Sequence, residues 1–303
     1  MSASEPVAVV GLDCRFPGAR DAGEFWKLLM EGRDGTRRVP EERWEADRYR
    51  IDEPASPGEA RPPGRSNTVR GGFIDDPDAF DPAFFGISPR EAAAMDPQQR
   101  LLLQCSWRAI EDATVAPEDL AGTDTGVFVG VMANEWAHLQ LADYDRITAR
   151  HGSGNGYFMG ANRVSYHLDL KGPSLAVDTA CSSSLVALHL ASGALRSGDC
   201  DYALAGGTNL IMTPVLNIFY TQAGLSAPDG RCKPFSASAD GIGRAEGVAV
   251  LVLRRLADAL ADRQPVYAVL RGTGVNQDGR SNGITAPNRW AQQELIERVW
   301  RST

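Results

Sequence analysis

The residues best placed to do chemistry lie in the run SLAVDTACSSSLVALHL, Ser174 to Leu190. A short apolar stretch, Ser174 to Val177, passes into an apolar helical pattern with almost no loop. Cys181 stands at the junction, among the small residues that a tight strand-to-helix turn requires. A thiol at a helix N-terminus meets the positive end of the dipole and free N–H groups, which favour thiolate and can hold a developing oxyanion. The chemistry that fits is attack of sulfur on an acyl carbon. On the residues alone, alternatives stay open. A cysteine beside a buried helix is more often inert packing, and Ser182, Ser183 and Ser184 are rival nucleophiles whose bland role is capping the first turn.

Other signals are weaker. Cys14, Cys105, Cys200 and Cys232 are scattered with no CxxC or Cys/His cluster, so they read as structural and argue against a zinc site or disulfide framework. The stretch His151 to Gly156 is glycine-rich but fails G-x-G-x-x-G, and reads as a flexible loop before a helix near Tyr157. Asn276 to Gly279 and Ser281 to Gly283 are turn sequences. Phe25, Trp26 and Trp107 fall in helical patterns that suit packing.

The elements that must position Cys181 can be read from pattern. Apolar runs at 7–12, 126–131, 174–177, 202–205, 247–253 and 266–270 suit strands buried on both faces, with helices between several of them. That alternation predicts an α/β fold with βαβ units. Asp21 with Glu24 reads as a capping box before a helix stopped by Gly32, and Asp96-Pro97-Gln98-Gln99 opens another. Leu102, Cys105, Ala109 and Ile110 share one face of that second helix. From Arg33 to Arg90 the chain is rich in proline and charge and reads as a long surface excursion, either functional or merely covering the core.

Composition bounds the partners. The 303 residues carry 31 Lys plus Arg and 39 Asp plus Glu, a net charge of −8, whose field repels nucleic acid and anionic membranes. No run reaches the ~20 apolar residues of a membrane span, and Val7 to Val10 is too short for a signal peptide. A cytoplasmic setting is expected.

The segment DTACSSSLVALHLA (178–191) resembles the active-site signature of β-ketoacyl synthase domains of type I modular polyketide synthases. Six more segments agree in the family's order: VAVVGLDCRFPGA (7–19), FDPAFFGISPREAAAMDPQQRLLL (80–103), GVFVGVM (126–132), ANRVSYHLDLKGPS (161–174), GRCKPFSASADG (230–241) and NQDGRSNGITAPN (276–288). The resemblance implies a thiolase-like fold of two similar halves and a homodimer. It implies that Cys181 is the nucleophile, its own backbone N–H an oxyanion donor. The acyl chain would come from an acyl carrier protein. A malonyl-type extender would then lose carbon dioxide and attack the acyl thioester. No cofactor binds directly; the phosphopantetheine arm of the carrier bears the substrates. An acyltransferase and other synthase domains are further implied partners. By the same resemblance, 276–288 would line the pantetheine entrance.

The family uses two further histidines, in motifs like EAHGTGT and KSNIGH, downstream of NQDG…TAPN. The chain ends at Thr303, and its histidines, His138, His151, His167 and His189, stand in neither motif. His189 lies eight residues past Cys181, about 12 Å along a helix. The expected organisation is residues 1–255 as the N-terminal half and 256–303 as the beginning of the second, cut before the histidines. Condensation by this fragment alone would be impaired, and the half-built sheet would expose an apolar edge. The alternative reading is a non-catalytic module that binds carriers or dimerises.

Overall fold

The computed structural model describes residues 5–51 and 61–303. Pro54 and Pro57 of the excursion lie outside them. Among these residues the strands are β1 (Val7–Arg15), β2 (Thr36–Arg38), β3 (Arg70–Gly72), β4 (Thr125–Val131), β5 (Ser174–Val177), β6 (Tyr202–Asn209), β7 (Gly247–Arg255) and β8 (Ala268–Leu270). Each apolar run singled out in the sequence contains a strand. Six of the strands form one sheet in the order β5-β4-β6-β7-β1-β8. β4 runs parallel to β5 and β6, whereas β7 is antiparallel to β6 and β1, and β8 to β1. The βαβ expectation therefore holds at one end of the sheet, and the rest is antiparallel.

Side chains alternate across this sheet, as the two-residue period of a strand requires. Ala8 and Val10 of β1, Val127 and Val129 of β4, Leu204 of β6 and Val250 and Val252 of β7 face one core. The helix Pro97–Asp112 closes that side with Leu101, Leu102, Cys105, Ala109 and Ile110. Val7, Val9, Phe128, Ala203 and Ala205 face the other, closed by Ala187, Ala191, Ala194 and Leu195 of the helix Ser183–Ser197. The result is a layered α/β structure with helices on both faces. Burial on both faces does not extend to the edge strands: Leu175 of β5 and Val269 of β8 are exposed, because each edge lacks a neighbour and a full covering layer.

The helix starts are as read, with one change. Asp21 accepts a hydrogen bond from Glu24 N at 2.8 Å, but the Glu24 carboxylate turns to Arg20 N at 2.9 Å instead of completing the box at Asp21. Asp96 Oδ1 accepts from Gln98 N at 2.9 Å, with Pro97 at the first helical position. Trp26 does not pack; it points to solvent at 64% exposure. Residues 151–155 are not a loop but part of the helix Ala149–Asn155, and Gly156 caps its end. Glycine serves close approach there: a Cβ at Gly154 would sit 2.2 Å from Ala94 O.

The excursion is pinned to the body. β2 and β3 pair as a small ribbon, and Arg43 reaches both oxygens of buried Glu246 at 3.2 Å. Glu246 also accepts from Ile211 N (2.9 Å) and Ile74 N (3.0 Å), so one carboxylate joins the excursion, the end of β6 and the start of β7. Burial pushes the Glu246 carboxyl up, and the Arg43 charge opposes it. No helix of the described residues is long and apolar enough to cross a membrane.

Candidate active site

Five residues separate the end of β5 at Val177 from the helix start at Ser183, and their hydrogen bonds fix a sharp elbow. Ala180 adopts φ 55°, a left-handed conformation that costs a non-glycine residue energy and persists only where neighbours enforce it. The enforcing contacts are local. Ala180 N donates to Asp178 Oδ1 at 2.9 Å, and Thr179 N donates to Ser183 Oγ at 2.9 Å. Ser183 Oγ donates to Ala180 O at 2.6 Å, and Ser182 Oγ to Thr179 O at 2.8 Å. The hydroxyls of Ser182 and Ser183 are thus spent on the turn, whereas the Cys181 thiol is exposed.

The helix behind the elbow sits hard against the sheet. A Cβ at Gly130 of β4 would lie 2.5 Å from Ser184 N, and one at Gly207 of β6 would lie 2.8 Å from Ser184 Cβ. Only bare backbone lets the helix start come so close. At the far end, Gly198 closes the helix at φ 80°, and the Arg255 guanidinium donates to Leu195 O at 3.1 Å.

Cys181 opens onto a cleft of about 690 Å³. Its wall is largely apolar, with Phe16, Phe25, Met132 and Ile242, and the excursion adds Gly35, Thr36 and Gly72. Phe16 and Phe25 brace each other at 4.6 Å between ring centroids. Sequence reasoning placed Phe25 in packing and passed over Phe16, Met132, Thr36 and Tyr220. Tyr220, half-buried on the helix Val215–Gln222, also lines the cleft. The Arg244 guanidinium lies 5.7 Å from its ring centroid, held by Asn217 Oδ1 (2.7 Å) and buried Glu135 Oε1 (3.2 Å). The other Glu135 oxygen accepts from Met212 N and Thr213 N at 2.9 and 2.7 Å. Burial pushes the Tyr220 phenol up.

None of the four histidines lines the cleft. His189 Nδ1 is 2.8 Å from Thr273 Oγ1, tying the helix behind Cys181 to the segment after β8. His151 Nδ1 accepts from Thr148 N at 2.9 Å, and burial pulls His167 down. Cys14, Cys105 and Cys200 are buried, and burial raises all three thiols, Cys14 and Cys200 to about 11, so they stay protonated. Cys232 is exposed and accepts from Gly243 N at 3.3 Å. No group of three or more His, Cys, Asp or Glu among the described residues is arranged to hold a metal ion.

Comparison with known proteins agrees with this geometry. The family "Beta-ketoacyl synthase, N-terminal domain" matches residues 4–259, and "Beta-ketoacyl synthase, C-terminal domain" matches residues 267–303. A phenolphthiocerol/phthiocerol polyketide synthase protein of Mycobacterium tuberculosis is 49% identical over the whole of this chain, which spans 19% of that relative. A second phenolphthiocerol/phthiocerol polyketide synthase protein, from Mycobacterium bovis, is 48% identical over 310 aligned residues, again the whole chain but 14% of the relative. Among solved structures, an oxazolomycin ketosynthase domain from Streptomyces albus JA3453 superposes with a TM-score of 0.91 at 41% identity, covering 98% of this chain and 51% of that one. The ketosynthase from module 6 of the bacillaene synthase of Bacillus subtilis 168 gives 0.87 at 39%, covering 98% and 48%. The chain thus spans about half the length of these solved ketosynthases and less than a fifth of the curated relatives. With a matched family over most of its length, the fold of solved ketosynthases and a cysteine elbow at the end of a parallel strand, the chain belongs to the β-ketoacyl synthase family.

Proposed function

We propose that the chain serves as the cysteine-bearing part of a β-ketoacyl synthase of polyketide assembly, with Cys181 as the residue that takes the acyl chain. The carrying observation is the elbow itself: an exposed thiol, preceded by a left-handed Ala180 and followed by a helix start, at the wall of an apolar cleft. The neighbouring N–H groups suit the oxyanion of acyl transfer, with the Cys181 N–H as one donor. The Cys181 thiol gives up its proton and attacks the thioester carbonyl, the bond to the carrier's sulfur breaks, and the carrier leaves as a thiol by taking up that proton.

The acyl chain arrives on the phosphopantetheine arm of an acyl carrier protein. The working assembly is a ketosynthase homodimer acting in the cytoplasm beside acyltransferase and other synthase domains. Residues 1–255 supply the nucleophile half and 256–303 the beginning of the second. Decarboxylation of the extender builds negative charge that the family's histidine motifs stabilise. The step that the Cys181 elbow and its cleft support is the acceptance of the acyl chain.

Peptide mapping after incubation with a hexanoyl-pantetheine thioester tests the reading. The expected result is a stable acyl mass on the peptide bearing Cys181, none on those bearing Cys14, Cys105 or Cys200, and its loss in Cys181→Ala. A folded sample with no acyl group on Cys181, or turnover that persists in Cys181→Ala, overturns it.

A further inference from the structure

One wall of the cleft is fixed more firmly than an apolar binding surface needs. Tyr220 lies near the end of the helix Val215–Gln222, and the residue after it is fully buried in a hydrogen-bond knot. Thr221 Oγ1 donates to Asn67 Oδ1 at 2.9 Å and accepts from Asn67 N at 3.2 Å. Arg61 Nη1 donates to Thr221 O at 2.6 Å, and Gln222 Nε2 to Pro62 O at 2.8 Å. These bonds to the excursion hold the end of the helix. From the other side, Arg244 lies against the Tyr220 ring and is itself held by Asn217 and Glu135. The backbone and the ring face of Tyr220 are both constrained.

The phenol oxygen is not spent in that way. Among the described residues it makes no hydrogen bond, although the residue is half-buried and lines the same cleft as Cys181. The oxygen is not enclosed by protein, so it is free to bond a group that enters the cleft. Tyr220 and Cys181 line one cleft, so an acyl chain seated on the sulfur passes along the wall that carries this phenol. A polar group held in place in the nucleophile's cleft, among largely apolar lining, is how a pocket selects one ligand orientation.

We propose that Tyr220 is a specificity-determining residue whose hydroxyl bonds an oxygen carried by the acyl chain close to its thioester. The proposal rests on the acyl-transfer reading of Cys181 and narrows its substrate class. The preferred acyl group carries a hydroxyl or keto oxygen on its β-carbon and is not a saturated chain. A β-hydroxyl would come from a preceding carbonyl reduction that stops before water is eliminated; a β-keto oxygen would come from a condensation with no reduction after it. Acylation itself is unchanged in kind: the sulfur–carbonyl bond forms, the pantetheine sulfur–carbonyl bond breaks, and the pantetheine thiol leaves with the proton of Cys181.

The test compares acylation rates of Cys181 by mass spectrometry with pantetheine thioesters of hexanoic, 3-hydroxyhexanoic and 3-oxohexanoic acids, in the native chain and in Tyr220→Phe. One neutral hydrogen bond is worth about a three- to tenfold preference. The native chain is expected to favour one or both oxygenated chains over hexanoyl by that factor, and the ratio in Tyr220→Phe is expected to fall to about one. The ratio is its own control, since a folding defect slows all three reactions alike. Whichever oxygenated probe is faster identifies which of the two preceding reactions supplies the substrate. A native ratio of one, or a preference that survives in Tyr220→Phe, overturns the proposal. If none of the three probes labels Cys181 in the native chain, the acyl-transfer reading fails first, and the preference falls with it.

Discussion

Replacing Gly130 by alanine isolates the close seating of the helix that follows Cys181. The added Cβ would stand 2.5 Å from Ser184 N, 2.6 Å from Ser183 C and 2.8 Å from Ser184 Cα, all backbone atoms that no rotamer change can move aside. Ordinary contact begins at 3.4 Å, so the helix start must retreat by about 0.9 Å, or β4 must bend by as much. Overpacking of this kind costs about 1–3 kcal/mol of stability. The displaced atoms are the first turn after Cys181, and a shift of about 1 Å in a reacting geometry costs on the order of a hundredfold in rate. Two assays on one sample separate the effects: chemical denaturation for stability, and acylation of Cys181 at low denaturant, where the variant is fully folded. Gly130→Ala is expected to lower the unfolding free energy by about 1–3 kcal/mol and to slow acylation at least tenfold. Stability and acylation both at the native level would refute the claim that bare backbone at residue 130 sets the position of the elbow.

Two further outcomes follow from the buried charges. Arg43→Ala leaves the Glu246 carboxylate buried without its cation and is expected to cost about 3–5 kcal/mol in chemical denaturation; a loss below about 1 kcal/mol would show that the excursion is not clamped there. Burial pushes the carboxyl of Asp96 up to about 6 from an ordinary 3.8. A raised folded-state value means that its stabilising contribution is full below about pH 4 and is lost as pH rises through about 6. The stability of the native chain relative to Asp96→Asn, whose Oδ1 can still cap Gln98 N, is therefore expected to fall by up to about 1.4 kcal/mol per pH unit across that window and level off above pH 7. A pH-independent difference between the two would refute it.

The features legible in the sequence are those with a local cause. A two-residue alternation or a short apolar run reports a strand, and Asp-Pro before a helical pattern reports a cap. A cysteine among small residues between a strand and a helix reports an elbow, because a sharp turn excludes bulk on either side. What stayed illegible depends on distant partners. Gly152 and Gly154 read as loop from composition, yet the chain there is helical, and Gly154 is bare because it lies against Ala94 O. Trp26 fell in a packing pattern, but nothing covers that face of its helix among the described residues. The excursion lines the cleft through Gly35, Thr36 and Gly72, held there by distant pairs such as Arg43 with Glu246, some two hundred residues later, which no local spacing encodes.

The place of β1 in the sheet bears on how the chain is made. Val7 pairs with Arg255 of β7 and with Leu270 of β8, so within this sheet the earliest strand to be synthesised has the two latest as its neighbours. At about 5–20 residues per second, roughly 12–50 s pass before β7 emerges. Throughout that interval Val7, Ala8 and Val10, each fully buried in the finished fold, have no sheet to join. β4, β5 and β6 can pair as soon as residue 209 is out, so the parallel end of the sheet can assemble before β1 gains either neighbour. The nascent chain therefore carries an uncovered apolar strand for that interval, and its yield in a cell depends on what shields β1 as well as on the stability of the product.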